Sequence, residues 1–396
     1  MEQDDDFNGH GLHLVGLHDR LERLEDYEGG GHHPVRLSDC LGNREQYRVI
    51  HKLGSGGYAN VWLCRVLESS PTEYVALKIL MADASGDGCP ERNMSSRLRG
   101  LTQDNRAIAQ YFCLPLQEFR INVVDDPNKT LRGLVRQAAQ AMAALHRAGI
   151  CHGDFRPHNI LLRTSGLNGL SEDEALQYLD YPLIADVTND AGESPTDASA
   201  PVYLVYPVEY HPGNCARASE QISVIDLGEA YEITNPPVKL GIPLPYAAVE
   251  TLFGSKAGPA SDIWALACTM FEIRTGERLF GLFDDNKDDY FSLVAEMLGP
   301  FPESWWSSWQ NRTSYYPDTP GPGLSHGRRT LRGELRKQVV HLPIEPAGEH
   351  EYVTIPEEEQ ELFADLLEKM LVYDAEKRLS PNEVLEHPWF LFSAGS

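Results

Sequence analysis

Residues 152–162 read HGDFRPHNILL. Within this stretch Asp154, Arg156 and Asn159 place a carboxylate, then a guanidinium two positions on, then an amide five positions on. The spacing suits transfer of the terminal phosphoryl of ATP. That reaction needs a base for the attacking hydroxyl, a cation over the moving phosphoryl and an oxygen ligand for magnesium. The position ahead of the carboxylate is Gly153, which carries no charge.

Upstream of this stretch, LRGLVRQAAQAMAALHRA (residues 131–148) repeats Leu, Ala and Met at helical spacing, and Gly149 follows. The pattern predicts a core helix running into the loop. Further upstream, YRVIHKLGSGGYANVWLCRVL (47–67) flanks a glycine cluster with β-branched and aromatic residues, and EYVALKIL (73–80) reads as another strand. Three antiparallel strands are expected. In the loop Leu53, Gly54, Ser55, Gly56, Gly57, Tyr58, Ala59, Asn60 and Val61, the glycines Gly54 and Gly56 let the backbone turn tightly and approach phosphate oxygens, while Val61 can cover an adenine face. A glycine-rich hairpin turn with no ligand explains the same residues. Lys78 on the next strand, where an ammonium reaches the α and β phosphates, makes the pair more specific than either part. Downstream, ISVIDLGEA brings Asp226 to the end of a short β-branched run, where a carboxylate can hold magnesium.

The chain has 396 residues, 42% of them hydrophobic, enough for a two-lobed domain with a full core. Fifty-nine acidic against 34 basic residues leave a formal charge of −25, which argues against duplex DNA or an anionic membrane as partner and suits a basic one. Solubility alone explains the charge equally well. Seven scattered cysteines (Cys40, Cys64, Cys89, Cys113, Cys151, Cys215 and Cys268) form no C-x-x-C pair. An odd, scattered set fits a reducing compartment. With no basic leader and no apolar run of bilayer length, the expectation is a soluble, cytoplasmic or nuclear monomer.

Residues 1–46 are rich in Asp, Glu, Gly and His without an apolar period, and are read as a largely irregular extension with solvated histidines at His10, His13, His18, His32 and His33. Residues 164–216 hold nine acidic residues and no Lys, and are read as a partly disordered acidic excursion. SDIWALACTMFEIRTG and EEEQELFADLLEKMLVYD read as a buried and an amphipathic helix, and DTPGPGLSHG as a loop.

In order, LGSGGYANV, VALK, HGD-x-R-x-x-N and DLG resemble the eukaryotic protein kinases. HGD-x-x-x-x-N also resembles the loop of aminoglycoside and choline phosphotransferases, which act on small molecules. The downstream half separates the two: Ala248-Val249-Glu250, Asp262 in SDIW, and EKRLSPNEVLEHPWF are similar to segments of the protein kinases alone. The resemblance implies a two-lobed α+β fold over residues 47–392, with a β-rich lobe over about 47–120, a helical lobe over about 121–392 that contains the acidic insertion, and a buried pair between Glu250 and Arg378. The lead-in HHPVRLSDCLGNREQYRVIHKLG resembles the SR-protein kinases of a divergent, fungal type, which phosphorylate serines in Arg-Ser repeats.

The resemblance implies that Asp154 and Arg156 are catalytic, that Asn159 and Asp226 hold Mg2+, and that residues 53–61 with Lys78 bind ATP. Glu91 is the candidate helix partner of Lys78, with a solvated surface glutamate as the other reading. Protein kinases usually carry Arg where Gly153 stands, so activation by loop phosphorylation is not expected. The interval between Lys78 and Asp154 is short for the elements it must supply. CLPLQEFRIN is either the first of two further strands or the hinge strand, with Gln117 and Glu118 at the adenine. The expected activity is a protein serine/threonine kinase acting on a basic, Arg/Ser-rich protein. A pseudokinase binding module and a small-molecule phosphotransferase are the alternatives.

Overall fold

The computed structural model describes residues 11–15, 20–42, 44–85, 94, 98, 127–164, 167–197, 200–209, 218–316, 329–337, 339–343 and 350–392. Glu91, CLPLQEFRIN and DTPGPGLSHG lie outside them. Contacts divide the chain into two compact units, residues 1–89 with 164–217, and residues 90–163 with 218–396.

The first unit is built on a four-stranded sheet in the order β2-β3-β4-β5, from β2 (Cys40–Leu41), β3 (Tyr47–Gly56), β4 (Ala59–Val66) and β5 (Glu73–Leu80). The three expected strands are present, antiparallel, with β2 added at the edge. Alternation along β4 sends Trp62 and Cys64 to one face and Val61 and Leu63 to the other. The first face buries Val49, Trp62 and Cys64 with Val35 and Val205. The second buries Ile50 and Leu63 with Leu179 and Val208.

Those last partners correct the reading of the acidic insertion. Residues 164–217 group with the strand-rich unit, not with the helical one. They form a helix α2 (Glu172–Leu179), capped reciprocally by Ser171 and Glu174, and strands β8 (Ile184–Asn189) and β9 (Tyr203–Val205). The extension supplies β1 (Leu12–Leu14) to the same sheet, in the order β1-β8-β9. Composition averaged over the segment hid two periods: Ala185 and Val187 alternate inward along β8, and Leu179 is the buried residue at the end of α2. The histidine reading also fails at His32, which is 4% exposed and packs edge-on against Tyr27.

The second unit is helical. Helix α1 (Pro127–Arg147) matches the expected core helix and ends before Gly149, whose φ is +75°. Helix α3 (Pro259–Thr275) is buried almost throughout, and α4 (Lys287–Leu298) and α5 (Glu357–Met370) bury one face each. Short strands β6 (Ile150–Cys151), β7 (Ile160–Thr164), β10 (Ala218–Val224) and β11 (Tyr231–Glu232) frame the loop 152–159 by pairing β6 with β11 and β7 with β10. Among the described residues no helix is long and apolar enough to cross a membrane.

Candidate active site

The β6–β11 and β7–β10 pairs hold the ends of the loop. Its first two residues are also held by Asp262 on α3, a 3% exposed carboxylate. It accepts from the backbone N–H groups of His152 at 2.8 Å and Gly153 at 3.0 Å, and from His146 Nε2 at 2.9 Å. Burial alone would push Asp262 up, but the His146 and Gly153 hydrogen bonds outweigh it and hold the carboxyl below the usual range. Burial holds His152 below its ordinary value, and the ring is placed with Nδ1 accepting from Asp154 N at 3.3 Å and Nε2 3.3 Å from the Ile225 carbonyl.

On this base three predicted residues form one hydrogen-bonded unit. Both carboxylate oxygens of Asp154 accept from Arg156 Nε at 3.0 Å, and Oδ2 also accepts from Asn159 Nδ2 at 2.9 Å. Asn159 Nδ2 donates as well to the Asp154 carbonyl at 2.8 Å. With its amino group turned to Asp154, Asn159 has its oxygen left as the atom for a hard cation. Ile225 N bonds the Asn159 carbonyl at 2.9 Å, which puts Asp226 beside it, at φ +60° and with Oδ1 accepting from Gly228 N at 3.3 Å. Asp226 shares a positive φ with Ser38, Glu45 and Asp180, and of these four it is the one that stands beside the catalytic loop. Oxygen donors on two residues tied by a backbone bond fit Mg2+.

Sequence reasoning registered Gly153 as a departure without its reason. Its φ is +79°, and a Cβ there would lie 2.2 Å from the Glu229 carbonyl oxygen. No side chain fits, an arginine least of all. The segment after Asp226 is held by other means. Tyr231 pairs with Cys151, Ile233 N bonds the Gly149 carbonyl at 3.0 Å, and Glu229 Oε2 accepts from Gly241 N at 2.8 Å. Glu250 and Arg378 form the expected pair through two bonds of 2.7 Å, with the guanidinium 4.9 Å from the Trp264 ring centre. Pattern reading missed a cavity of about 250 Å³ lined by Arg156, Pro243, Tyr246, Phe283, Asp284 and Asp285. Phe283 is fully exposed there.

In the strand-rich unit the glycine hairpin is β3 and β4 joined by Gly57 and Tyr58, with Gly56 opposite Ala59. Gly54 and Gly56 are not at positive φ, and a Cβ at Gly54 would meet nothing within 4 Å. The turn does not need these glycines, contrary to the expectation. What their missing side chains leave is open backbone, as close approach of a ligand requires. Val61 faces Lys78 directly across β4 and β5, so both lie on one face, where Ala76 and Lys78 are exposed. Leu53 packs near Ile50 and Leu63. Ser55 and Tyr58 are exposed, and Ala59 is buried. Asn60 corrects the list of nucleotide contacts: its side chain is buried and donates to Tyr27 on the other face.

The protein kinase domain family matches residues 213–390, and the lipopolysaccharide kinase (Kdo/WaaP) family matches residues 116–181. A serine/threonine-protein kinase SRPK of Physarum polycephalum is 26% identical over 87% of this chain and 86% of its own length. Mouse SRSF protein kinase 3 is 31% identical over 47% of this chain, and mouse dual specificity protein kinase CLK2 is 22% identical over 88%. The chain spans 31% and 64% of those two relatives. The crystal structure of a kinase domain covers 91% of this chain and 98% of its own, with a TM-score of 0.55 at 17% identity, a likeness of fold. The lipopolysaccharide kinase match takes in the loop 152–162, whereas the protein kinase match takes in Asp226, Glu250, Asp262 and Arg378, and over residues 213–390 the chain resembles the protein kinase domain, with SRPK- and CLK-type kinases among its relatives.

Proposed function

We propose that the protein transfers the γ-phosphoryl of Mg-ATP to serine or threonine hydroxyls of basic, Arg/Ser-rich proteins. The observation that carries the chemistry is the bonded unit of Asp154, Arg156 and Asn159, with Asp226 fixed next to it. Asp154 accepts or orients the proton of the acceptor hydroxyl. Arg156 and Asn159 hold its carboxylate in one rotamer, so that little reorganisation accompanies the reaction. Asn159 and Asp226 would hold Mg2+, which when bound neutralises charge developing on the phosphates. Lys78 and the open backbone at Gly54 and Gly56 serve the nucleotide phosphates, with Val61 against the base.

Support for a basic substrate comes from Asp284 and Asp285 in the cavity beside Arg156, and from the net charge of −25. Both favour encounter with a cationic peptide. The segment held by Tyr231, Ile233 and Glu229 supports activity without prior phosphorylation.

The test compares initial velocities of unphosphorylated enzyme on an alternating Arg-Ser peptide and on a neutral Ser peptide. The Arg-Ser advantage is expected at low salt, mainly in apparent affinity. It should shrink as the screening length falls from about 10 Å at 0.1 M to about 3 Å at 1 M. Equal velocities at low salt reject the Arg/Ser substrate, and nucleotide binding without transfer to either peptide rejects the kinase activity.

A further inference from the structure

Behind the glycine hairpin lies a buried polar cluster that the proposed chemistry does not use. Lys52, the residue before Leu53 on β3, has no exposed surface. Its ammonium pairs with Glu22, 8% exposed, and stands 5.7 Å from the centre of the Trp62 ring. Tyr27 donates its hydroxyl to the other oxygen of Glu22 at 2.6 Å and accepts from Asn60 Nδ2 at 3.5 Å. The segment 20–33 that carries Glu22 and Tyr27 is tied in at its far end. Ala82 N and Asp83 N, just past β5, bond the carbonyls of Gly31 and Gly30 at 3.0 and 2.9 Å. Glycine is required there: Gly30 stands at φ +93°, and a Cβ on Gly31 would lie 2.1 Å from the Asp26 carbonyl oxygen.

As an agent of stability alone this cluster is a poor choice. Burying an ammonium and a carboxylate costs more in lost hydration than an apolar residue of similar volume would. Unlike apolar packing, an ion pair with a shared hydroxyl fixes position. What it fixes is specific: Lys52 precedes Leu53, where β3 shifts register, and Asn60 precedes Val61 on β4. Successive strand residues point to opposite faces. Asn60 is therefore held from behind while Val61 and its cross-strand neighbour Lys78 face the other way.

We propose that Glu22 and Tyr27 are positioning residues that clamp the hairpin through Lys52 and Asn60, so that Val61 and Lys78 are presented to the nucleotide in one arrangement. The inference rests on the reading of residues 53–61 as the nucleotide loop.

The experiment uses the full chain and Mg-bound non-hydrolysable ATP analogue as probe, with KM for ATP and for peptide measured separately. Tyr27→Phe keeps the ring and removes the hydroxyl. It should raise the analogue Kd and the KM for ATP by about three- to tenfold, the scale of one or two hydrogen bonds, with the peptide KM unchanged. Asn60→Ala should do the same, and the double variant should be no worse than either single one, because both cut one link. Arg23→Ala, at an exposed pair with Asp26 on the same segment, should leave all three constants unchanged. A merely structural role would lower the active fraction, and with it apparent kcat, leaving KM for ATP where it was. Wild-type analogue binding with an unchanged Kd in Tyr27→Phe and Asn60→Ala overturns the clamp and leaves the nucleotide loop standing. Absence of analogue binding by the wild type overturns the loop reading and the clamp with it.

Discussion

Replacing Gly153 by alanine separates two causes that usually come together. One is backbone: a φ of +79° costs an L-residue about 1–2 kcal/mol. The other is contact, since the new methyl would lie 2.2 Å from the Glu229 carbonyl oxygen and 3.0 Å from its carbon. Ordinary contact begins near 3.4 Å, so the Glu229 peptide must retreat by roughly an ångström. That peptide is tethered: Ala230 N bonds Leu227 O at 3.2 Å, Gly241 N bonds the Glu229 side chain at 2.8 Å, and Tyr231 pairs with Cys151. Breaking two such bonds adds about 1 kcal/mol each, for a total of about 3–4 kcal/mol.

Gly149 provides the comparison. Its φ is +75°, yet a Cβ there meets nothing within 4 Å, so Gly149→Ala carries the backbone cost alone. Against a stability of about 5–15 kcal/mol both variants fold. The displacement in Gly153→Ala is passed to Asp226, three residues before Glu229. Chemical denaturation and initial velocity are measured on both variants. Gly149→Ala should lose about 1–2 kcal/mol and stay within a few-fold of the wild-type rate. Gly153→Ala should lose about twice that and fall at least about tenfold in kcat, as misplacement of about 1 Å warrants. Equal losses of stability and rate in the two variants would refute the contact argument.

Asp154→Asn should lower kcat by about 10²–10⁴-fold with nucleotide affinity retained, because it acts on the acceptor side; calorimetric binding and initial velocity check this, and an unchanged rate rejects the role. Lys78→Met should weaken Mg-ATP binding by about tenfold through loss of a charge on the phosphates, and equal affinity and rate would reject the loop reading. Arg378→Met leaves Glu250 buried without its partner and should cost about 3–5 kcal/mol in denaturation, whereas a cost near zero would mean that the pair is solvated. Burial holds His51 and His152 below the ordinary 6.5. The unfolded chain therefore binds more protons than the folded one below that value, and stability present at pH 7 should decline as pH falls from 6.5 toward the folded values, by about 1.4 kcal/mol per pH unit for each proton. A denaturation midpoint flat between pH 7 and 5.5 would contradict it.

Local chemistry decided what could be read in advance. The loop 152–162 was legible because Arg156 and Asn159 both bond Asp154 within a span of six residues. Helices α1 and α5 were legible because apolar spacing of 3.6 has no other use, and α3 because its apolar run is too long for a strand. The insertion was not legible, because its core contribution is a few residues, Leu179, Val205 and Val208, diluted among acids whose partners are remote in sequence. Nor was the clamp. Glu22 and Lys52 are 30 positions apart, and nothing in either neighbourhood marks them as a buried pair. Gly153 could be seen only as an exception until the Glu229 carbonyl was in place.

The insertion changes how the electrostatic argument must be made. Read as a partly disordered acidic excursion, its nine carboxylates would all steer a cationic peptide. In the structure several are engaged: Glu172 lies 3.7 and 3.9 Å from Arg48 and Arg65, Glu174 caps α2, Asp173 accepts from Tyr181 at 2.5 Å, and Asp190 and Glu209 pair with His13 and Arg20 at 2.6 Å. Partnered carboxylates keep a reduced far field, and turning all nine into amides would loosen the strand-rich unit at the same time. A change in Arg-Ser preference in such a variant could not be assigned to charge. Asp284 and Asp285 offer the cleaner test, because they lie in the cavity with Arg156 and outside the insertion. If steering and recognition come from carboxylates near the catalytic loop, amides at these two positions alone should erase most of the low-salt advantage of the Arg-Ser peptide while the neutral peptide reacts at its original rate. An advantage that survives there would return the effect to the net charge of the whole chain.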